Sequence, residues 1–391
     1  MVTPDILALL RTPEGVNALA AADQVATGDP LAAASALRAR GVGPELAAAA
    51  LTQVDLRRRA TSKFGPAAGR MFFTRAGLEQ ATRAVVAERR AARLAAAGVR
   101  TMADLGCGLG SDALAAASHG IFVYAVDADP VTAGVAAANA TALGLDHLIK
   151  VDCADATTIP VEDYDAVFAD PARRRAGRGR VFDPKSYSPP WDFVAGLAER
   201  VPRTVLKLAP GIDHGLLPPG AEGEWVSVAG DLVEAAFWCG PLATVPRRAT
   251  LLPGGHEITG SGTAAAPVGP VGAYVFDPDP AVVRSHLVAE FAETVGGRLG
   301  DPEIAYVYAD DPVDTPFGRR LEITDVLQFS LKRLRALLRE RGVGRLEIRK
   351  RGSALEPDRL RRDLRLSGPE AASLVLTRVA GAPTAMLCRP V

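Results

Sequence analysis

The sequence predicts an α/β fold: a parallel sheet covered by helices on both faces, with a helical segment ahead of it and an α+β unit behind it. Two observations carry this. Five short apolar runs, "VRTMADLG" (99–106), "GIFVYAVDAD" (120–129), "LIKVDCAD" (148–155), "YDAVFADP" (164–171) and "RTVLKLAP" (203–210), have strand-like composition and end in Asp, Gly or Pro. Helical stretches near 111–119, 131–143 and 190–200 lie between them, and such alternation marks a parallel sheet. Ligands of these sheets bind at the carboxyl ends of the strands, which singles out Asp104, Asp127, Asp155 and Asp170.

Residues 1–95 read as a helical domain. Thr3-Pro4, Thr12-Pro13, Asp29-Pro30 and Gly43-Pro44 each set a cap or turn residue before a proline at a helix's first position. The run 75–98 predicts one longer helix ending at Gly98. The sheet domain is expected over 96–245, and Asp129 is expected to cap the helix starting near Pro130. From 246 to 391 a separate α+β region follows. There the stretch 253–272, rich in Gly and Pro, reads as loop or hairpin, and 274 onward gives a strand, a turn and a helix. "EITDVLQFSLKRLRALLRERG" reads as helix, followed by a strand over 345–350 and a terminal hairpin within 373–390.

Bulk composition excludes several classes. With 391 residues, 48% hydrophobic and 23% charged, the chain has ample core material and two or three domains are expected. No apolar run approaches the roughly 20 residues of a membrane span, and "MVTPDILALL" lacks the features of an export signal. The four cysteines, Cys107, Cys153, Cys239 and Cys388, form no CxxC pair, which argues against a metal site or disulfide framework and suits the cytoplasm. Net charge is zero, yet residues 319–365 hold fifteen Lys or Arg against seven Asp or Glu. This local excess either attracts a polyanion or decorates solvated helix faces.

The chemistry starts at Gly106-Cys107-Gly108-Leu109-Gly110-Ser111. Glycines are needed where backbone approaches a ligand or takes positive φ. A nicotinamide fingerprint would place its third glycine one residue later, and Asp104 is unattractive beside a pyrophosphate but suits a cationic amino group. Asp127, seventeen residues after Gly110, sits where an acid accepts hydrogen bonds from ribose hydroxyls. The string D-L-G-C-G-x-G resembles motif I of the class I S-adenosylmethionine-dependent methyltransferases. That resemblance implies a Rossmann-like core, S-adenosyl-L-methionine as cofactor, and an acid after the third strand that accepts from the adenine amino group; Asp155 is preferred there over Asp152.

Asp170-Pro171 resembles the D/N/S-P-P-aromatic motif of methyltransferases acting on ring-conjugated amino nitrogens. The resemblance implies that Asp170 and a backbone carbonyl at Pro171 accept the two hydrogens of the target amine. Ala172 and Arg173 depart from the motif. Trp191 could supply the missing stacking surface; the alternative is a helix start at Pro190 with Trp191 packed on the sheet. Arg173 and Arg174, in "RRRAGRGR", either hold a nucleic-acid backbone or lie on a solvated loop. Lys207 either approaches the same site or caps a strand edge.

The stretch 61–83 is similar to the segment entering the core in the RNA cap guanine-N2 methyltransferase (trimethylguanosine synthase) group. Carried over, Phe64, Phe72, Phe73 and Thr74 cover the cofactor, with core packing the alternative for each aromatic. The C-terminal part, about 320–391, is similar to a THUMP-like domain, which implies RNA as partner. The resulting expectation is methyl transfer to an exocyclic amino nitrogen of an RNA base, guanine N2 favoured. An NAD-dependent oxidoreductase and a catalytically inactive RNA-binding protein retaining the fold are the alternatives.

Overall fold

The computed structural model describes residues 3–26, 28–173 and 187–390. The chain forms two compact units. One comprises Met1–Leu208, Ile212–Ala221 and Ala236–Thr244; the other comprises Ala209–Gly211, Glu222–Ala235 and Val245–Val391.

The first unit opens with helices α1 (Pro4–Leu10), α2 (Pro13–Val25), α3 (Pro30–Ala39) and α4 (Pro44–Phe64). Thr3, Thr12 and Asp29 cap the first three through side-chain oxygens that accept from Ile6, Gly15 and Leu31 N–H groups, as the Thr/Asp-Pro pattern predicts. The single helix expected over 75–98 is instead two, α5 (Arg75–Gln80) and α6 (Ala84–Ala96). The break has a cause. Lys63 Nζ donates to the carbonyls of Leu78, Glu79 and Ala81 at 2.7, 2.9 and 3.0 Å, which ends α5, and the Thr82 hydroxyl leaves the helix to donate to Asp112 at 2.7 Å.

The sheet of this unit contains β1 (Thr101–Leu105), β2 (Phe122–Asp127), β3 (Ile149–Cys153), β4 (Ala166–Ala169) and β5 (Thr204–Leu208), in the order 5-4-1-2-3 and parallel throughout. Helices α7 (Ser111–Ser118), α8 (Pro130–Leu143) and α9 (Trp191–Arg200) supply crossovers. Asp129 caps α8 by accepting from Thr132 N at 2.9 Å. Met102 through Leu105 are buried without alternation, as a strand covered on both faces requires. The helical segment and the sheet share one core, in which Leu10, Leu37 and Ala50 join Val123, Phe168 and Val205. The strand order reverses between β1 and β4, so the crevice at their carboxyl ends is the expected ligand position.

The second unit contains β6 (Glu222–Val228), which the sequence reading left unassigned, and most of β7 (Asp231–Trp238). Strand β8 (Arg247–Leu252) pairs parallel with β6 and forms a hairpin with β9 (His256–Gly260). The remaining strands are β10 (Tyr274–Pro278), β11 (Arg298–Leu299), β12 (Val307–Ala309), β13 (Gly318–Gln328), β14 (Val343–Lys350), β15 (Glu370–Val379) and β16 (Ala382–Pro390). They form one sheet in the order 11-12-10-13-16-15-14. Between β10 and β11 the single expected helix is two, α10 (Pro280–Arg284) and α11 (Val288–Thr294).

The stretch "EITDVLQ", expected to be helical, belongs to β13; the helix α12 begins only at Leu331 and runs to Glu340. A register shift between Ile323 and Asp325 interrupts the two-residue alternation, which hides the strand period. Helix α12 and α13 (Pro357–Leu364) bury Leu334, Leu338, Leu360 and Leu364 against Leu346, Leu374 and Leu376. Their Lys332, Arg333, Arg359 and Arg362 are exposed; the two helices carry seven of the fifteen basic residues over 319–365, and the others lie on strands and loops.

Candidate active site

Strand β1 ends on the glycine turn. Gly106 and Cys107 N–H groups both donate to Val126 O at 2.9 Å, fastening the turn to the end of β2. Gly106 has φ +92°, and a Cβ there would lie 3.2 Å from Asp170 O; glycine both permits the backbone angle and lets the end of β4 approach. Gly110, at φ +84°, precedes α7 and packs against Ala136 of α8. On the other side, a Cβ at Gly77 of α5 would meet Leu109 Cδ2 at 2.5 Å. The start of α5 therefore rests on the turn.

Asp127, at the end of β2, accepts from Gly108 N at 3.1 Å and from Asp129 N at 3.0 Å. Burial raises its carboxyl above the ordinary value, partly opposed by those two N–H donors. Each oxygen keeps a further lone pair, which suits ribose hydroxyls. Asp155, just after β3, is exposed, and its Oδ1 accepts from the Thr157 N–H and hydroxyl at 2.9 and 2.8 Å. Those two donors lower its pKa, the backbone N–H most. Its Oδ2 has no hydrogen bond among the described residues. Asp152, the other acid of β3, is engaged by the Tyr124 hydroxyl at 2.8 Å and Lys150 at 3.3 Å.

Asp104 differs from both. Its side chain is 0% exposed, and neither carboxyl oxygen has a hydrogen-bond partner. Burial holds its pKa well above the ordinary value, and Asp112, Asp170 and Asp127 add to the shift while Arg90 opposes it. Asp104, Asp112, Asp127 and Asp170 thus sit around the glycine turn with Arg90 and Lys207 as cations beside them, a surplus of carboxyl groups that suits a cationic ligand. An orphaned buried carboxylate beneath a glycine cradle fits the ammonium- and sulfonium-bearing S-adenosylmethionine and does not fit a pyrophosphate. Because Asp104 has no exposed surface, any influence on a ligand there would run through its charge rather than through direct contact.

Asp170 follows β4, one-third exposed, and its Oδ2 is ion-paired with Lys207 of β5. Its Oδ1 makes no hydrogen bond among the described residues. Pro171 is buried. The structure thus brings Lys207 and Asp170 together. The Lys207 neighbour Lys63 has a lowered pKa, mainly from burial, with Arg83 and Lys207 contributing repulsion.

Other candidate residues move away from the cleft. Phe73 is 0% exposed and packs against Phe64 with the rings tilted by 48° and their centroids 5.6 Å apart. With no accessible surface, its ring packs the core, the alternative open for each of these aromatics. Phe64 and Phe72 are also buried. The Thr74 hydroxyl accepts from Gly77 N at 3.0 Å, capping α5 where it meets the turn. Trp191 is 9% exposed and opens α9 after Pro190; this is the packing alternative, and its ring offers little stacking surface. Arg173 lies in a two-residue ladder with Tyr187, but its side chain and all of Arg174 lie outside the described residues.

Three supporting elements were not anticipated. A buried Arg90–Asp112 ion pair underlies the turn, with Thr82 bonded to the same carboxylate and the guanidinium 4.7 Å from the Phe168 ring centroid. Gln53, fully buried, brackets Phe73 by donating to its carbonyl at 2.8 Å and accepting from its N–H at 3.0 Å. Asn139 does the same for Phe72 at 3.1 and 2.7 Å, and also donates to Leu109 O at 3.0 Å. One signal was present for Arg90: it falls on the apolar stripe of Val86, Ala87, Ala91 and Leu94. No group of three metal-ligating side chains converges among the described residues, and no described helix is long and apolar enough to cross a membrane.

Comparison with known proteins agrees with this geometry. A methyltransferase-domain family model matches residues 102–173, a THUMP domain-like model matches 318–390, and a domain-of-unknown-function model (DUF8688) matches 3–60. The chain is 37% identical over 355 residues to an "Uncharacterized S-adenosylmethionine-dependent methyltransferase" of Mycobacterium tuberculosis, recorded in strains CDC 1551 and H37Rv. The match covers 86% of this chain and 95% of the relative. A crystal structure described as "putative methyltransferase from Porphyromonas gingivalis W83" is 22% identical with a TM-score of 0.74, covering 100% of this chain and 99% of that one. At that identity it speaks to the fold.

Proposed function

Because the chain belongs to the S-adenosylmethionine-dependent methyltransferases, and carries a THUMP-like domain, we propose that it methylates an exocyclic amino nitrogen of an RNA base, guanine N2 being favoured. The observation that carries the amine reading is Asp170: a carboxylate beside the glycine turn, one oxygen held by Lys207 and the other open. The cofactor supplies an electrophilic methyl group on a sulfonium.

The chain's own residues then have distinct tasks. Gly106, Gly108 and Gly110 shape the cradle, Asp104 supplies negative charge beneath it, Asp127 accepts from the ribose, and Asp155 Oδ2 accepts from the adenine amino group. Thr74 fixes α5 against the turn. Asp170 Oδ1 and the Pro171 carbonyl accept the two hydrogens of the target amine, which draws its lone pair out of conjugation and aims it at the methyl carbon. Lys207 holds Asp170 in place. Arg173 and Arg174 contribute positive charge to the same segment. The RNA reading draws on the THUMP-like match and on the basic excess over 319–365. Nucleoside mass spectrometry of total RNA from cells lacking the protein tests it: one methylated guanosine is expected to disappear and return with the gene. An unchanged RNA nucleoside profile would overturn the substrate.

Asp104 yields a second expectation. Asp104→Asn weakens S-adenosylmethionine binding at least about tenfold, since about 1.4 kcal/mol of lost attraction already amounts to that. The sign of the pH dependence follows from the raised pKa. The folded chain holds this proton more tightly than the unfolded chain, so the cofactor-free protein loses stability as pH rises from about 4 through the raised value. A bound cation favours the ionised carboxylate, so affinity rises over the same interval and binding releases a proton. Calorimetry in buffers of different ionisation heat reads that release. Equal affinity and equal proton release in Asp104→Asn would remove the role.

A further inference from the structure

A cleft of ≈ 750 Å³ lies in the first unit, lined by α2, α4, the turn after α4 and the last residues of α8. Its rim carries four guanidiniums, Arg11, Arg57, Arg58 and Arg70, against one carboxylate, Asp23. That carboxylate is already paired with Arg58 at 3.0 Å. Arg11 and Arg70 are exposed, and their side chains make no hydrogen bond or ion pair among the described residues. Arg57 donates to Met71 O at 2.8 Å and lies 5.2 Å from the Phe72 ring centroid; Asp23 acts on it through charge, but among the described residues no carboxylate forms a salt bridge with it. The floor is apolar: Leu19, Val54 and Phe72 line it, together with Val16, which is 54% exposed.

We propose that this cleft is a second nucleic-acid site, holding a single-stranded segment of the RNA with phosphodiester groups on Arg11, Arg57 and Arg70 and an unpaired base against the apolar floor. Two guanidiniums free of partners among the described residues, Arg11 and Arg70, and a third without a salt bridge, Arg57, around a concave apolar surface match a ligand that alternates anions with flat apolar faces. A paired duplex buries those faces, and the cleft volume is that of a small-ligand pocket rather than a duplex groove. Asn139 fastens the backbone of Phe72 on this floor to Leu109 of the cofactor turn, so the cleft is built into the same rigid unit as the site of chemistry. The naming of the polymer rests on the RNA substrate proposed above; the cleft itself rests on its own side chains.

The test uses the full chain and fluorescence anisotropy with a labelled single-stranded RNA of about 20 nucleotides. In the Arg11→Glu/Arg70→Glu variant, Kd is expected to rise at least about tenfold near 0.1 M salt. The slope of log K against log salt is expected to fall by about 1.4, the share of two phosphate contacts on a single strand. A control of equal charge change, Arg38→Glu/Arg40→Glu, is expected to shift Kd less than threefold. Binding of S-adenosylhomocysteine should match wild type in both variants, which reports an intact fold and cofactor turn. If wild type binds the RNA and Arg11→Glu/Arg70→Glu binds it equally well, or if the control loses as much, the cleft proposal is wrong while the RNA substrate stands. If wild type shows no RNA affinity at all, the RNA substrate and the cleft proposal both fall. Polyglutamate competing as well as unlabelled RNA at equal charge would also overturn it, because the floor would then contribute nothing.

Discussion

Asp170→Ala is expected to lower the rate of methyl transfer by about 10²–10³-fold, the usual cost of removing one preorganised polar group from a reacting centre. The loss should fall on kcat, with S-adenosylhomocysteine affinity changed less than threefold. The reason is positional. Asp170 stands at the end of β4, across the strand-order reversal from the glycine turn, and Gly106 lets its backbone approach to 3.2 Å of where a Cβ would be. Lys207 holds Oδ2, and Oδ1 makes no hydrogen bond among the described residues. The alanine variant also leaves Lys207, 13% exposed, without that carboxylate, so Asp170→Asn serves as the second variant. It keeps an acceptor oxygen and should retain intermediate activity. The measurement is incorporation of labelled methyl from the cofactor into RNA isolated from cells lacking the protein. Full incorporation by a folded Asp170→Ala protein would falsify the assignment.

Arg90→Ala is expected to destabilise the protein by about 3–5 kcal/mol, because it strands a buried carboxylate. The ion pair between Arg90 and Asp112 is 4% and 9% exposed, and Thr82 is the other side-chain partner of that carboxylate. The guanidinium also lies over Phe168 in β4 and is the cation that opposes the raised pKa of Asp104. Removing it therefore strips two acidic neighbours, Asp112 and Asp104, of one shared counter-charge. Urea unfolding of the purified chain reads the loss. The double replacement Arg90→Met/Asp112→Leu should recover most of it, since paired buried charges are often replaceable by apolar groups of similar volume. A single variant as stable as wild type would mean that water reaches this pair.

These two residues also mark how far the sequence could be read. The Asp170-Pro171 motif at a strand end was visible; its ion pair with Lys207, 37 positions away, was not, because it depends on β4 and β5 being neighbours in the sheet. Arg90 showed only as a charge on an apolar stripe, with nothing local to name Asp112 as its partner. Phe73 was left open between cofactor cover and core packing. Its place in an aromatic-containing turn suggested a cover for the cofactor, and burial beneath Gln53 and Phe64 turned it into core.

What the sequence determined by itself was whatever nearest neighbours along the chain decide. The proline-led helix starts follow from a cap oxygen two or three residues before its donor, the glycine turn from backbone angles open to glycine, and the strand ends from short apolar runs stopped by Asp or Pro. The tertiary structure alone decided the break at Ala81–Arg83, the strand hidden in "EITDVLQ", the burial of Asp104 and the convergence of Arg11, Arg57, Arg58 and Arg70 on one cleft. Each depends on groups brought together across many residues. Lys63 pulls carbonyls of a later helix, and a bulge shifts the register between strands. Burial and pairing energies of several kilocalories per mole then outweigh local preferences of about one.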